Sequence, residues 1–350
     1  MRDVAVVGFA HTAAAEIGLN EPEMLLPIIT QALQPLSLTP QDMGFVVSGS
    51  SDYLPGQPFS FVAALDAVGP WPPLAESHVE MDGAFALYEA WIRLQHGDID
   101  TALVYAFGKS SPGDIARTTA LQLDPYVVAP LFPDAHGLAG LQARALIDAS
   151  AAAEEQAAEV VARAWRDAKD NPVAQRFGDV TTEDLLGRDA VLDPLREHDC
   201  PPVTDGCAAI VLAAGDRARE LTDNPVWIRG IDHRIEPQAL GVRELTDSVS
   251  TRRAAQVAGV ADGPVDVAEL HAPYSYQELI LRRALGINGS TRISPSGGSL
   301  VSNPVMVAGL GRIGHAATAL SSGLGTRAVA HATAGACLQQ NLVCVLEVER

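Results

Sequence analysis

Short apolar runs alternate with helical patterns along much of this 350-residue chain, and the alternation limits the folds that it can adopt. In the first third, runs rich in Val, Phe and Ala at residues 4–8, 45–49 and 102–108 are separated by helical apolar spacing at residues 21–33 and 84–95. Strands that alternate with helices pack as a buried, largely parallel sheet with helices on its faces. The sequence therefore predicts an α/β fold.

The C-terminal part of the chain repeats this alternation. Predicted strands at residues 208–214, 226–231, 265–270, 328–331 and 342–348 surround a predicted helix at residues 275–285. Between the two parts, residues 110–201 contain Pro- and Asp-rich turns around one long Ala- and Glu-rich helix at 138–169, which we interpret as a helical insertion. We expect two similar layered halves, residues 1–215 with the insertion and residues 216–350.

Composition indicates a folded protein without a nucleic-acid or membrane partner. Hydrophobic residues make up 47% of the chain and charged residues 19%, so a large core can form. The 43 acidic and 24 basic side chains give a formal net charge of −19, which repels phosphate backbones and anionic lipids. No apolar run approaches the roughly 20 residues of a membrane-spanning helix, and the first residues lack the features of a secretory signal. We expect a cytoplasmic protein.

The cysteines and histidines give no sign of a metal or redox site. Cys200, Cys207, Cys337 and Cys344 form two distant pairs, and neither pair has the CxxC spacing of zinc or redox motifs. The nine histidines include no HxxxH or HExxH pair. We expect reduced thiols, no metal and no cofactor.

Four short motifs occur in the order and spacing of one enzyme family. Residues 199–209 read DCPPVTDGCAA, residues 269–274 read ELHAPY, residues 294–298 read SPSGG and residues 338–342 read LQQNL. They resemble the CPxxDGAAA, ExHDCF, NPSGG and LQHNL segments of thiolases of the sterol-carrier-protein and lipid-transfer-protein type. With GHAA at residues 314–317, the matches extend over nearly the whole chain. The resemblance implies a thiolase fold, a five-layered αβαβα arrangement of two similar βαβαβ halves.

The chain departs from that family at the positions that carry thiolase chemistry. A thiolase attacks an acyl-CoA with a cysteine at the N-terminus of a buried helix, and the matching residues 79–85 contain none. Pro273 stands where the relatives carry a second cysteine that moves a proton, and Asn303 replaces their GHP histidine. His271 is the one member of the usual catalytic set that remains. For Asp82, at the position of the lost nucleophile, we favour the interpretation that it caps a helix.

These departures resemble those of the thiolase-like lipid-transfer aldolases. Such aldolases remove a short acyl-CoA from hydroxylated sterol side chains without a thiolase cysteine, and they work with an OB-fold companion that binds acyl-CoA. A retro-aldol cleavage removes the proton of a β-hydroxyl, breaks the C–C bond and leaves a thioester enolate. By this resemblance His271, Tyr274 and Asn303 are the catalytic candidates, with Asn303 as an oxyanion donor. The candidate substrate-binding residues are Tyr276, Gly297, Gly298 and His331.

Each of these assignments has an alternative that the sequence leaves open. His271 alone could be a half-buried histidine at a strand end, and Tyr274 is as consistent with packing as with catalysis. Tyr276 fits a structural or interfacial role better than a substrate contact. Gly297 and Gly298 also serve close backbone packing.

We predict cleavage of a β-hydroxyacyl-CoA with a bulky apolar acyl group, such as a steroid side chain. Acyl transfer on acyl-CoA, and a non-catalytic thiolase-like subunit of a heteromeric complex, are the alternatives. Members of the family pair through edge strands of the first half, and residues 102–107 offer an apolar strand for this contact. We therefore expect a homodimer, or a heteromer with a thiolase-like paralogue or an OB-fold companion that binds acyl-CoA.

Overall fold

The computed structural model describes residues 1–56, 58–131, 133–150, 153–287 and 289–349. The strands within these ranges are β1 (Val4–Ala14), β2 (Phe45–Gly49), β3 (Glu76–Val79), β4 (Thr101–Gly108), β5 (Ala190–Leu192), β6 (Leu195–Arg196), β7 (Asp205–Ala214), β8 (Val226–Ile235), β9 (Val267–Leu270), β10 (Arg292–Ile293), β11 (Arg327–Ala334) and β12 (Gln340–Val348). Strands β5 and β6 form a separate short hairpin, and the others form one 10-stranded sheet.

The α-helices surround this sheet. They are α1 (Glu21–Leu33), α2 (Ser60–Ala64), α3 (Gly83–Gln95), α4 (Ile115–Leu121), α5 (Ala135–Ala149), α6 (Ala153–Asp167), α7 (Thr182–Leu186), α8 (Gly215–Leu221), α9 (Val249–Ala258), α10 (Ser275–Leu285) and α11 (Ala308–Ser321). In the described part of the chain, no helix has both the length and the apolar character that crossing a bilayer requires.

The sheet consists of two halves with the same topology. The strand order is β3-β2-β4-β7-β1 in the first half and β10-β9-β11-β12-β8 in the second. In each half the first strand along the chain pairs antiparallel with the last, and the last pairs antiparallel with the fourth. The second strand is parallel to both the third and the fourth. The halves meet where β1 pairs with β8, from Val4 opposite Ile228 to Val6 opposite Val226.

Helices α3 and α11 lie between the two half-sheets. Their buried side chains, such as Leu87 and Leu310, share one core with side chains from both halves. Gly83 at the start of α3 allows this contact, because a Cβ there would lie 2.5 Å from Ala106 Cβ and 2.9 Å from Leu310 Cδ2. Helix α1 packs on the outer face of the first half, and α9 and α10 pack on the outer face of the second. The layers therefore run helix, sheet, helix, sheet, helix.

The segment between β4 and β7 is mostly helical, and it corrects the sequence-based expectation in two ways. The long helix predicted at 138–169 is two helices, α5 and α6, because Ser150 adopts an extended backbone (φ −154°, ψ 117°) that ends α5. The Ala-rich run around Ser150 has a high helix propensity, which concealed this break. Residues 151 and 152 of the predicted helix lie outside the described residues. The β5–β6 hairpin is the second difference.

The strand predicted to pair with a second protomer lies inside the sheet. Strand β4 sits between β2 and β7, and all of its residues are buried. The expectation for residues 102–107 is therefore wrong, because a strand with neighbours on both sides has no free edge. An uninterrupted apolar run is typical of a central strand that is covered on both faces. The free edge of the first half belongs to β3, in which Glu76 and Ser77 are exposed.

Candidate functional site

The central residue of the candidate site lies at the end of β9. His271 follows the last residue of this strand, and its backbone N–H donates to the carbonyl of His331 in β11 (3.2 Å). The backbone N–H of Thr333 donates to His271 Nδ1 (3.3 Å), which places the proton of the neutral ring on Nε2. Burial, reinforced by His331 and Arg312, lowers the pKa of His271 to about 3. His271 is therefore a neutral hydrogen-bond donor at physiological pH.

Asn303 lies against the His271 ring. Its backbone N–H donates to Thr204 Oγ1 (3.0 Å), and the interaction of its side chain with His271 partly offsets the fall in the pKa of that imidazole. Asn303 Oδ1 is buried and has no hydrogen-bond partner of good geometry among the described residues. The imidazole of His271 and the amide of Asn303 are thus two neighbouring neutral polar groups, and their contact with a substrate stays a prediction.

His331 supports the site from within the sheet. Its side chain is fully buried, and Nε2 lies 3.0 Å from Asn341 Oδ1. Burial lowers the pKa of His331 to about 4, so this ring is also neutral. Asn341 donates in turn to Ser250 Oγ (2.7 Å) and to the carbonyl of Leu338 (2.8 Å). His331 is thus part of a buried network behind His271, and its contact with a substrate stays a prediction.

A buried ion pair holds the loop at residues 294–298 beside β9. Arg312 Nη1 lies 3.0 Å from Glu269 Oε2, and the two side chains are only 2% and 1% exposed. Ser296 donates to the same carboxylate through its backbone N–H (3.0 Å) and its Oγ (2.8 Å). Because the buried charges are paired and hydrogen-bonded, removing either partner would leave an uncompensated charge in the core.

Gly297 and Gly298 shape this loop through packing. Both have positive φ angles, 91° and 67°, a region that favours glycine. A Cβ on Gly297 would lie 2.7 Å from Ala168 Cβ, at the end of α6. The backbone N–H of Gly297 donates to the carbonyl of Ser294 (2.8 Å), and that of Gly298 donates to Ser296 Oγ (3.3 Å). Because both N–H groups are engaged inside the loop, substrate binding through them stays a prediction.

Tyr274 connects the loop after β9 to the insertion. Its Oη lies 3.0 Å from His136 Nδ1, and the two rings meet edge to face with centroids 5.7 Å apart. Tyr274 is buried, which raises the pKa of its hydroxyl, whereas His136 in the first turn of α5 is exposed. No motif in the sequence indicates His136, because its position depends on how the insertion docks onto the second half.

Tyr276 lies in the core of the second half. It is 1% exposed and belongs to an apolar cluster with Leu281 and Leu285. Its hydroxyl has no hydrogen-bond partner among the described residues, and burial raises its pKa. This environment fits the structural alternative, and a substrate contact through Tyr276 stays a prediction.

Asp82 occupies the place at the start of α3 where the family resemblance puts a nucleophile. Its carboxylate accepts the backbone N–H of Ala84 (2.9 Å), which confirms that Asp82 caps this helix. It also accepts the N–H groups of Gly309 (2.9 Å) and Leu310 (3.0 Å) at the start of α11. The residue is 3% exposed, and burial raises the pKa of its carboxyl although these hydrogen bonds act in the opposite direction. Asp82 is thus a cap shared between α3 and α11.

Known proteins similar in sequence match most of the chain, although no family model matches it. The chain is 27% identical over 335 residues to an acetyl-CoA acetyltransferase of Methanothermobacter thermautotrophicus, and the match covers 85% of each chain. It is 26% identical over 246 residues to the 17-hydroxy-3-oxo-4-pregnene-20-carboxyl-CoA lyase of Mycobacterium tuberculosis, which covers 67% of this chain and 63% of the lyase. These matches support a thiolase-like protein of the sterol-carrier-protein type.

Solved structures share the fold of this protein. The Ltp2-ChsH2(DUF35) aldolase superposes with a TM-score of 0.84 at 18% identity, covering 99% of this chain and 98% of that one. Human mitochondrial 3-ketoacyl-CoA thiolase superposes with a TM-score of 0.78 at 16% identity, covering 99% of both chains. The predicted thiolase fold is confirmed.

The cysteines of this protein are poorly suited to attack a thioester. All four are free and buried. Burial raises the pKa of Cys200 and Cys207 to about 12 and that of Cys337 to about 11, and it also raises the pKa of Cys344. Cys337 Sγ donates to the carbonyl of Leu138 (3.3 Å). Because the thiolate is the nucleophile, a buried thiol with a raised pKa is inert.

Proposed function

We propose that this protein cleaves the C–C bond of a β-hydroxyacyl-CoA by a retro-aldol reaction without a covalent intermediate. A base takes the proton of the β-hydroxyl, the new carbonyl forms, and the electron pair of the broken bond moves into the thioester as an enolate. The enolate carbon then takes a proton from solvent, which gives a ketone or aldehyde and a shorter acyl-CoA. No thiolate takes part in any of these steps.

The observation that carries this proposal is the environment of Asp82. In a thiolase the corresponding place holds the attacking cysteine, but here a carboxylate is tied to three backbone N–H groups. A carboxylate in that arrangement has its lone pairs directed into helix N-termini and cannot act as an acyl acceptor. The buried cysteines supply no replacement. The chemistry that fits best is one that needs only proton transfer and enolate stabilisation.

We assign His271 and Asn303 to the thioester oxygen. Negative charge develops on this oxygen as the C–C bond breaks, and preorganised donors stabilise it in a site from which water is excluded. His271 donates through Nε2–H because its Nδ1 already accepts the N–H of Thr333. The amide of Asn303 supplies the second donor. His271 is therefore assigned as an oxyanion donor and not as the base.

We assign Tyr274 as the group that receives the proton of the substrate hydroxyl. It lies three residues beyond His271 in the same loop, and its hydroxyl is both a donor and an acceptor. Its partner His136 can accept the proton that Tyr274 releases, as the 3.0 Å contact between Oη and Nδ1 indicates. The step thus needs no free tyrosinate.

Two relatives support a bulky apolar acyl group and a companion protein. The lyase of Mycobacterium tuberculosis is named for a steroid carboxyl-CoA, and the name of the aldolase with a similar fold pairs Ltp2 with ChsH2(DUF35). We propose a steroid-like acyl-CoA as substrate and an OB-fold companion or a thiolase-like paralogue as partner. We further propose that the protein is cytoplasmic and that it dimerises through the free edge of β3. The proposed domains are residues 1–215 and 216–350.

The decisive experiment supplies the purified protein, with and without an OB-fold companion, with 17-hydroxy-3-oxo-4-pregnene-20-carboxyl-CoA. Release of the steroid ketone and the shorter acyl-CoA is expected. A variant with all four cysteines changed to Ala should keep this activity, provided that its unfolding transition shows an intact fold. Loss of activity in that folded variant, together with acyl transfer by the wild type, would favour a cysteine-dependent acyltransferase.

A non-catalytic subunit is the second candidate, and Asp82 is also the observation that favours it. A residue at a former nucleophile position that now links two helices serves the stability of the fold. In that case, neither the protein alone nor its complex would depend on His271 for activity. Wild-type rates in a complex that carries His271→Ala would support this candidate.

A further inference from the structure

We infer that His136, in the inserted segment, passes the substrate proton from Tyr274 to solvent. The inference rests on the proposed function, because it gives that reaction its proton exit. His136 acts through Tyr274 and does not itself need to contact the substrate.

The geometry places a buried hydroxyl one hydrogen bond away from the surface. Tyr274 is 7% exposed, and its Oη lies 3.0 Å from Nδ1 of the exposed His136. In the neutral imidazole one ring nitrogen accepts and the other donates, so Nδ1 can take a proton from Oη. Because the ring reaches solvent, the imidazole can then exchange this proton with water.

The surroundings of Tyr274 require such a partner. The titratable groups that face its hydroxyl are Cys200, Cys337 and Asp134, in addition to His136. None of the first three carries a positive charge, and burial raises the pKa of Tyr274 further. A tyrosinate formed there would be both desolvated and unpaired. The proton must therefore leave Oη for His136 as the substrate proton arrives.

Two glutamines link the backbone of Tyr274 to α5, the helix that carries His136. The backbone N–H of Tyr274 donates to Gln277 Oε1 (3.3 Å), and Gln277 Nε2 donates to Gln142 Oε1 on α5 (3.0 Å). At the start of α5, Asp134 accepts the backbone N–H of Gly137 (2.6 Å), next to His136. Gln142 thus ties α5 to α10, and Asp134 caps the first turn of α5. Together these contacts hold His136 next to Tyr274.

The proton balance of the step is complete. The β-hydroxyl gives its proton to Tyr274 Oη, the proton of Oη moves to His136 Nδ1, and the imidazolium gives a proton to water. The electron pair of the C–C bond stays on the thioester enolate, which later takes a proton at carbon. No oxidant, reductant or metal is needed.

Kinetics with the steroid β-hydroxyacyl-CoA named above tests the inference. His136→Gln keeps a side chain that can hydrogen bond to Tyr274 but cannot carry a proton, and we expect kcat to fall about 10²-fold with little change in KM. His136→Ala should be equally slow and should regain activity with added imidazole, in a saturable manner. His96→Ala, which removes another exposed histidine, should match the wild type. A wild-type kcat in His136→Gln, or no imidazole rescue of a folded His136→Ala protein, would overturn the inference.

A second measurement does not depend on enzymatic activity. In protein labelled with 13Cζ-tyrosine, the exchange rate of each hydroxyl proton can be read from the isotope shift in mixed H2O and D2O, and the chain has only six tyrosines. His136→Gln should slow exchange at Tyr274 about tenfold or more. The buried Tyr276 hydroxyl, which has no hydrogen-bond partner among the described residues, is the internal control.

The two measurements separate failure of the inference from failure of the proposed function. If His136→Gln slows hydroxyl exchange at Tyr274 but the wild type cleaves no substrate, the inferred proton path stands and the proposed retro-aldol reaction is wrong. Unchanged Tyr274 exchange would reject the path even in an active enzyme.

Discussion

Asp82 and Gly309 are 227 residues apart in sequence, yet the Asp82 carboxylate accepts the backbone N–H of Gly309 at 2.9 Å. A Cβ on Gly309 would lie 2.5 Å from Asp82 Oδ1, so this contact requires glycine. The carboxylate caps one central helix from each half of the molecule. The positive ends of two helix dipoles therefore share one negative charge at the candidate site.

Asp82→Ala should destabilise the protein by about 3 kcal/mol or more, because it removes a cap and leaves buried N–H groups unpaired. The measurement is the free energy of unfolding from urea titration. Asp114→Ala is the control, because Asp114 caps α4 through Arg117 N–H at an exposed position. We expect about 1 kcal/mol there. Equal losses in the two variants would contradict the shared cap.

His271→Ala and Asn303→Ala should each lower kcat about 10²- to 10³-fold on the steroid β-hydroxyacyl-CoA, because each removes an oxyanion donor. Asn303→Asp keeps the size of the side chain and places a negative charge beside the developing enolate, so it should be slower than Asn303→Ala. Unfolding transitions provide the control for fold. If Asn303→Asp were as active as the wild type, the assignment of the oxyanion site would be wrong.

His11→Phe should stabilise the protein, and more so at pH 5 than at pH 7. His11 packs beside Phe9 and His315, its ring nitrogens lack hydrogen-bond partners among the described residues, and burial lowers its pKa to about 3. Between pH 6.5 and about pH 3 the unfolded state binds one more proton here than the folded state, so stability falls as the pH falls. Relative to pH 7, this lowers the free energy of unfolding of the wild type at pH 5 by about 2 kcal/mol.

Urea titrations of both proteins at pH 7 and pH 5 measure this difference. Burial raises the pKa values of Asp82 and Glu269, so these carboxyls make the protein more stable as the pH falls. Both proteins contain them, and their contribution to stability therefore cancels in the comparison. A constant difference in stability between wild type and variant at the two pH values would contradict the prediction.

Glu76→Pro should weaken the proposed dimer. The carbonyl of Ala75 accepts the N–H of Val46 in β2, and that of Val79 accepts the N–H of Ser50 directly after β2. The alternate residue Glu76 therefore directs its own N–H to the free edge of β3. Proline removes this donor without touching the pairing with β2. We expect light scattering to show a shift towards monomer, and Glu76→Ala should leave the dimer intact. An unchanged dimer in Glu76→Pro would point to a different interface.

Helices with periodic apolar spacing and buried apolar strands could be predicted from the sequence, and half-exposed or two-residue strands at the sheet edges could not. Glu21–Leu33, Phe45–Gly49 and Ser275–Leu285 have the predicted bounds. Strands β3 and β10 at the edges of the sheet have no such pattern, because Glu76–Val79 is half exposed and Arg292–Ile293 is only two residues long. Their places are set by pairing with β2 and β9, which a local pattern does not contain.

Residues of the candidate site could be predicted from the sequence where a local motif contains them. His271 lies after β9 as its motif indicates, and Asp82 caps α3 as its residue type indicates. The contact between Tyr274 and His136 spans 138 residues and depends on the docking of α5. The same is true of the shared cap, because only the packed fold brings α11 to Asp82.

The packing of α6 against Gly297 limits how the sequence of such a protein can diverge. The loop that flanks His271 leaves no space for a Cβ beside Ala168, so this loop and the insertion fit each other as one surface. A change in the segment between β4 and β7 would therefore need a matching change in this loop, so the two segments are constrained to diverge together.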